Sequence, residues 1–311
     1  MKNPILISCL LALAIATNAQ QSDFPISSGP YLGQKPPGKV AELFADGIIA
    51  NSQHSFHSNI IFNNDGTEAY WLKYDRNRTQ NEIVYSKLEN GKWSSPIKAT
   101  FSINKMGDDA PFLSQDGKRL YFISRRPVDK VSKREKQAIW FSEKIDNKWL
   151  EPKPVPGEVN SLDGIHWQFS VDADYNLYFS CCVDIYSAAR KGSIYYSKYS
   201  EGSYQKPVLL PNTINAPDEY NATPFISPEG DYLIFSRESP KTHKMQIYFS
   251  RQNNGEWENA VNISEYIGEF SHNCPIISLD RKYLFFLRYV NSFTQPFWVS
   301  AEFIEELRPK R

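Results

Sequence analysis

The residues with chemistry to offer recur at matched places along the chain. Counting back from Pro111, the third and second preceding positions hold Asp108 and Asp109. The corresponding pairs elsewhere are His57 and Ser58, Ile165 and His166, Asn221 and Ala222, and His272 and Asn273. A second set stands four residues after Leu120 and its counterparts: Lys73, Ser124, Cys181, Arg237 and Arg288, with Arg125 and Glu238 next in line. Converging cationic groups would suit a carboxylate or sulfate, because a guanidinium offers paired donors to paired oxygens. His57, His166 and His272, joined by a carboxylate, would instead offer neutral nitrogen and anionic oxygen to a divalent metal, although they come from separate segments without close ligand spacing. Asp108, Asp109, Asp163, Asp218, Glu219 and Glu238 are the carboxylates from which a glycosidase would need two, roughly 5 to 9.5 Å apart.

A structural assignment competes with each of these, since Arg and Asp at the starts of repeats also tie neighbouring repeats together. Trp167, beside His166, would offer a sugar a flat apolar face if exposed, or fill the core if buried. The loop from Arg125 to Gln137 is strongly basic, with Arg126, Lys130, Lys133, Arg134 and Lys136, and either is simply solvated or steers an acidic ligand.

These matched places exist because the chain is a repeat. Ile83-Val84-Tyr85-Ser86, Ile139-Trp140-Phe141-Ser142, Ile194-Tyr195-Tyr196-Ser197, Ile247-Tyr248-Phe249-Ser250 and Phe297-Trp298-Val299-Ser300 place their serines 56, 55, 53 and 50 residues apart. The first four runs are each followed by a polar turn and an aromatic residue, as in Asn90-Gly91-Lys92-Trp93, the pattern of a hairpin. Upstream of each run lies a second hairpin, clearest from Pro111 to Phe122, with counterparts at 60–71, 168–179, 224–235 and 275–286. Asp65, Asp116 and Asp280 sit at their tips as turn residues. Four short strands per repeat, with scarcely any helical period, are what a propeller blade requires.

The two ends of the chain point to ring closure. The last repeat stops at a third strand, expected from Phe297 to Phe303, and Lys39 to Phe44 is a spare strand that would fill the vacant outer position. The expected architecture is an all-β propeller of about five four-stranded blades, six being possible, closed by an N-terminal strand. In a blade the first strand runs away from one face and the second returns to it. Both matched sets therefore belong to one mouth.

The hairpin Leu113-Ser114-Gln115-Asp116-Gly117-Lys118-Arg119-Leu120-Tyr121-Phe122 resembles the WD40-like repeat of TolB-related propellers, and Ser227-Pro228-Glu229-Gly230-Asp231-Tyr232-Leu233-Ile234-Phe235 is a second match. The resemblance implies an exported bacterial propeller that binds partners without catalysis. It departs from that family in having five long blades where six shorter ones are usual.

The N-terminus reads as a secretory signal over residues 1–19: Lys2, an apolar run from Ile5 to Ala16, and the small-residue site Thr17-Asn18-Ala19. Residues 20–37 read as a linker and 38–311 as a single propeller domain. The protein is thus expected in the periplasm or outside the cell. No later stretch approaches the roughly 20 apolar residues of a membrane-spanning helix. Lys and Arg balance Asp and Glu at 35 each, so no net field favours nucleic acid. Cys181, Cys182 and Cys274 read as buried thiols and not as a disulfide framework.

No nucleophile elbow, phosphate loop or metal-ligand motif is present. The sequence therefore favours a non-catalytic binding module for a protein or an acidic glycan, with no cofactor expected. The alternative is a carbohydrate-active enzyme, a glycosidase or a metal-assisted uronate lyase, working at the same mouth.

Overall fold

A computed structural model describes residues 27–49, 55–74, 81–103, 107–128, 137–162, 164–183, 191–238, 241–268 and 272–308; for residues 74, 165–167 and 183 only the backbone is described. Five antiparallel sheets form the five blades of a propeller. In each, strands A, B and C run outward from the axis and a short strand D lies outermost.

Blade 1 is Ile61–Phe62, Glu68–Tyr74 and Asn81–Glu89, with Ile97–Lys98 outermost. Blade 2 is Asp109–Leu113, Arg119–Ser124, Ala138–Ile145 and Lys153–Pro154. Blade 3 is Ile165–Val171, Leu177–Val183, Lys191–Ser197 and Val208–Leu209, and blade 4 is Tyr220–Ile226, Tyr232–Glu238, Met245–Asn253 and Val261–Asn262. Blade 5 takes His272–Ile277, Tyr283–Val290 and Phe293–Ser300 from the end of the chain. Its fourth strand, Glu42–Leu43, comes from the beginning.

Pairing of Glu42 with Trp298 and Leu43 with Phe297 closes the ring, as the spare strand led us to expect. Two backbone bonds extend it, Phe44 N–H to Pro296 O and Ser300 N–H to Gly38 O. The third strand of blade 5 ends at Ser300, earlier than Phe303. Residues Glu302–Leu307 turn into a short helix instead, which buries Ile304 and stacks Phe303 on Tyr266 at 4.5 Å. The segment read as a linker contributes to the core as well: Tyr31 and Leu32 are buried, and Tyr31 meets Phe62, Tyr283 and Trp298.

The repeated serine has a defined task. In blades 1 to 4 its hydroxyl donates to the carbonyl eight residues on: Ser86 to Ser94 (2.7 Å), Ser142 to Leu150 (2.5 Å), Ser197 to Gln205 (2.5 Å) and Ser250 to Glu258 (2.7 Å). Each bond ties strand C to the chain entering strand D at a point where the ladder is interrupted. The aromatic neighbours pack across strands B and C of the same blade, as Phe179 does on Tyr195 and Tyr232 on Phe249. At the A–B turns Ser114, Ser227 and Ser278 donate to Asp116, Asp231 and Asp280, each at 2.7 Å. Gly66, Gly117 and Gly230 supply the positive φ that these turns need.

Candidate functional site

Strand A lines the axis, and it is broken at the same point in four blades. Ala110 with Pro111, Thr223 with Pro224 and Cys274 with Pro275 each set two residues against one on strand B, and so do residues 167 and 168. These are β-bulges, and Ala110, Thr223 and Cys274 hold φ near +50° within them. Proline follows each because it has no N–H to give the ladder, which confines it to edges and bulges. In these four blades the bulge turns side chains and carbonyls toward the axis, where they meet those of blade 1.

Five blades meet there in a hydrogen-bonded ring. His57 Nδ1 lies 2.5 Å from Asp109 Oδ2, joining blade 1 to blade 2, while Asp109 Oδ1 accepts the N–H of Ala110 at 2.6 Å. Gln168 Nε2 of blade 3 donates to His57 O (3.3 Å) and reaches Cys274 Sγ of blade 5 (3.0 Å). The Asn59 amide donates to Cys274 O, and Cys274 N–H donates to Thr223 Oγ1 of blade 4 (3.3 Å). Thr223 in turn donates to Ser236 (2.6 Å). Inside the ring the axial cavity is about 20 Å³, lined by Ser58, Asn59, Gln168, Cys274 and the three prolines. That admits a water and excludes a sugar ring. Below it the axis is apolar, walled by Phe112, Phe225 and Ile277.

The matched sets from the sequence divide in two. Asp108 is fully buried, accepting from Arg126 Nη2 (2.8 Å) and from Ile103 N–H (2.7 Å); burial raises its carboxyl and lowers the Arg126 guanidinium, each against the pull of the other. Asn221 and Arg237 are buried together, with Arg237 Nε donating to Asn221 Oδ1 (2.9 Å) and lying 3.1 Å from Glu219 Oε2. Arg126 and Arg237 also hold the linker carbonyls of Phe101 (2.5 Å) and Ile214 (2.8 Å). His272 is 1% exposed, its Nε2–H on Gly268 O at 2.8 Å, and burial lowers its pKa to about 4. Arg288 lies over the Phe297 ring at 5.0 Å. These groups bind within their own blades and to the linkers that enter them.

The remainder face outward. His57 is 41% exposed at its side chain, and Lys73 and Arg125 are exposed on the same sector, across blades 1 and 2. Asn273 is half-buried, and Glu238 lies 3.5 Å from the exposed His243. His166 and Trp167 sit at the mouth end of strand A of blade 3, with their side chains outside the described residues. Asp163 and the basic positions Lys130, Lys133, Arg134 and Lys136 lie outside them too.

No group of three His, Cys, Asp or Glu is placed to hold a metal among the described residues. The described carboxylates nearest the axis, Asp108 and Asp109, are engaged with Arg126 and His57. Sequence reasoning passed over Asn59, Gln168, Thr223 and Cys274, which build the ring. The repeated proline was the signal for them, because three of the five strands A carry it one place after the bulged residue.

With this geometry, the chain can be set beside solved structures. It is similar to an α-L-arabinofuranosidase from Podospora anserina, at 15% identity over 89% of this chain and 98% of that one, with a TM-score of 0.50. Two further likenesses are to a protein described as TolB from Agrobacterium tumefaciens (16% identity, 76% and 71% of the two chains, TM-score 0.48) and an endo-arabinase from Bacteroides thetaiotaomicron (12%, 86% and 96%, 0.48). At these identities the likeness is one of fold. No protein-family profile matches the chain, and no curated protein does.

Proposed function

We propose that this propeller is an exported, non-catalytic binding module whose mouth face takes a protein or glycan partner. The observation that carries this reading is the closed axial ring. His57, Asp109, Gln168, Thr223 and Cys274 at the centre of the mouth are bonded between blades, and the cavity among them holds no more than a water. Specific small-molecule sites are concave and a few hundred Å³ in volume. A partner here would instead be met across the open face, by His57, Lys73, Arg125 and their neighbours. Hydrolysis of a glycoside needs an acid and a base set on one bond, and of the six carboxylates the sequence offers, Asp108, Asp109, Glu219 and Glu238 each have a cationic or imidazole partner, Asp218 is exposed and Asp163 lies outside the described residues.

The test is thermal melting of the full chain against a panel of glycans and peptides, with release of reducing ends followed in the same samples. A native-state ligand must raise the apparent melting temperature. Stabilisation without turnover is expected. Turnover that disappears in Asp109→Asn would establish the glycosidase reading in its place.

A further inference from the structure

Among the described residues one aromatic ring stands open to solvent. Tyr289 is 60% exposed, while every other Trp, Tyr or Phe side chain described is buried or half-buried. It lies at the mouth end of the second strand of blade 5, in the repeat column of Arg125 and Glu238. The hairpin that carries it turns through Asn291 and Ser292, at φ 48° and 70°. Successive left-handed residues give the turn whose twist matches that of the flanking strands, so the base of the ring is fixed before anything binds.

Side chains alternate along a strand, so Tyr289 shares a face with Leu287 and Phe285, which pack in the apolar cluster between blades 5 and 1. Across that seam Lys73 shares a face with Trp71, a member of the same cluster. Tyr289 and Lys73 therefore flank one seam at the mouth, with Thr294 opposite Tyr289 and Glu82 opposite Lys73 in their ladders. The seam is pinned there as well. Thr294 O accepts the Phe56 N–H at 2.8 Å and Ser55 Oγ accepts the Thr294 N–H at 3.3 Å, which fastens the linker entering blade 1 to the strand beside Tyr289.

The surroundings of the ring decide its ligand. Protein hot spots are clusters in which apolar side chains exclude water. Tyr289 is instead alone among exposed apolar side chains at its seam: Ile97, Val208 and Val261 lie on outer strands, and Ile103 and Val128 flank blade 2. The groups nearest it in the ladders are polar, and Lys73 and Glu82 carry opposite charges. A sugar ring has an apolar C–H face that stacks on a tyrosine and a rim of hydroxyls that bonds such polar groups. We infer that Tyr289 is the stacking platform for an uncharged sugar ring of a glycan partner, whose hydroxyls are bound at the blade 5–blade 1 seam by Lys73, Glu82 and Thr294. The inference rests on the binding reading above and names the class of partner.

The test is a titration of the full chain labelled with ¹³C-tyrosine, the Tyr289 ring signal being assigned by its loss in Tyr289→Phe. The probes are cello-, xylo-, manno-, arabino- and chitohexaose, with oligogalacturonate and the peptide panel as the charged and protein alternatives. At least one neutral sugar should shift the Tyr289 signal and bind. Tyr289→Ala should weaken that sugar about tenfold or more, and its melting temperature should match the wild type because the side chain is exposed. Tyr289→Phe keeps the ring and should stay within about threefold of wild type. Lys73→Met should weaken binding about three- to tenfold, the effect of one hydrogen bond. The inference is overturned if no neutral sugar moves the signal, if oligogalacturonate binds more tightly than all of them, or if a peptide needs Tyr289 and no sugar does. A sugar held equally well by wild type and Tyr289→Ala would overturn it too, leaving the binding reading in place. Release of reducing ends from a sugar whose binding does depend on Tyr289 would overturn the non-catalytic reading alone.

Discussion

Asp108 and Asn221 occupy the same place in blades 2 and 4, and each accepts a hydrogen bond from the guanidinium that also grips the linker entering its blade. One clamp is thus ionic and the other is shared between an amide and Glu219. Removing Asp108 strands a buried cation, which typically costs 3–5 kcal/mol or about that. Removing Asn221 leaves Glu219 on Arg237 and should cost about 1–3 kcal/mol. Urea denaturation of Asp108→Ala and Asn221→Ala measures both, and equal losses would show that the two clamps are not built as described.

Ring closure predicts a sharp contrast within the N-terminal strand. Phe44 is fully buried, 4.9 Å from Trp298 and 5.1 Å from Phe285, whereas Val40 is 76% exposed. Phe44→Ala should destabilise the protein by about 3–5 kcal/mol, as large buried aromatics do. Val40→Ala should change stability by less than about 0.5 kcal/mol. Comparable melting curves for the two variants would mean that the ring does not depend on this strand.

His272 links stability to acid. Burial holds its pKa at about 4, below the ordinary 6.5 of the unfolded chain. The unfolded state therefore binds a proton that the folded state refuses between these values. The resulting stabilisation is complete above pH 6.5 and is lost as pH falls toward 4, amounting to on the order of 3 kcal/mol. Asp172, which burial pushes up to about 6, acts with the opposite sign over much of the same window. The quantity to measure is therefore the difference between wild type and His272→Gln, whose melting temperatures should draw together as pH falls from 7 to 4. A constant gap would place the imidazole in a wetter setting.

The three cysteines of the described chain are buried, and burial pushes the Cys274 thiol far above its usual range. A thiol kept protonated is a poor nucleophile. A maleimide or an aromatic disulfide reagent should therefore leave the native protein unlabelled over hours and label it on addition of denaturant. Rapid native labelling at Cys274 would show that the axial ring opens.

Much of this could be read from the residues alone. The serine at 86, 142, 197 and 250 set the period, and it recurs because each repeat needs one hydroxyl to bridge the break before strand D. The strand from Lys39 to Phe44 was recognisable because blade 5 lacked one. The division of the mouth was not recognisable in advance. His57 and His272 stand in one column of the repeat, yet one is half exposed beside Asp109 and the other is sealed under Phe286. Which outcome follows depends on neighbouring blades, with which a residue shares no local pattern. Tyr31 and Leu32 were hidden for a related reason: both take positive φ with no glycine at either position to mark it, and the Tyr31 ring packs against Tyr283, Phe285 and Phe62.

The measurement bearing most directly on a binding face at the mouth uses the inertness of the native thiols. Arg125→Cys places a single reactive group on that face, and coupling it to a bulky maleimide polymer covers the sector of His57 and Lys73. Ligands that stabilise the uncoupled variant in the glycan and peptide panel should lose their effect after coupling, with no turnover in either state. Ligands that stabilise the coupled protein equally well would contradict the account and move the binding surface elsewhere on the propeller.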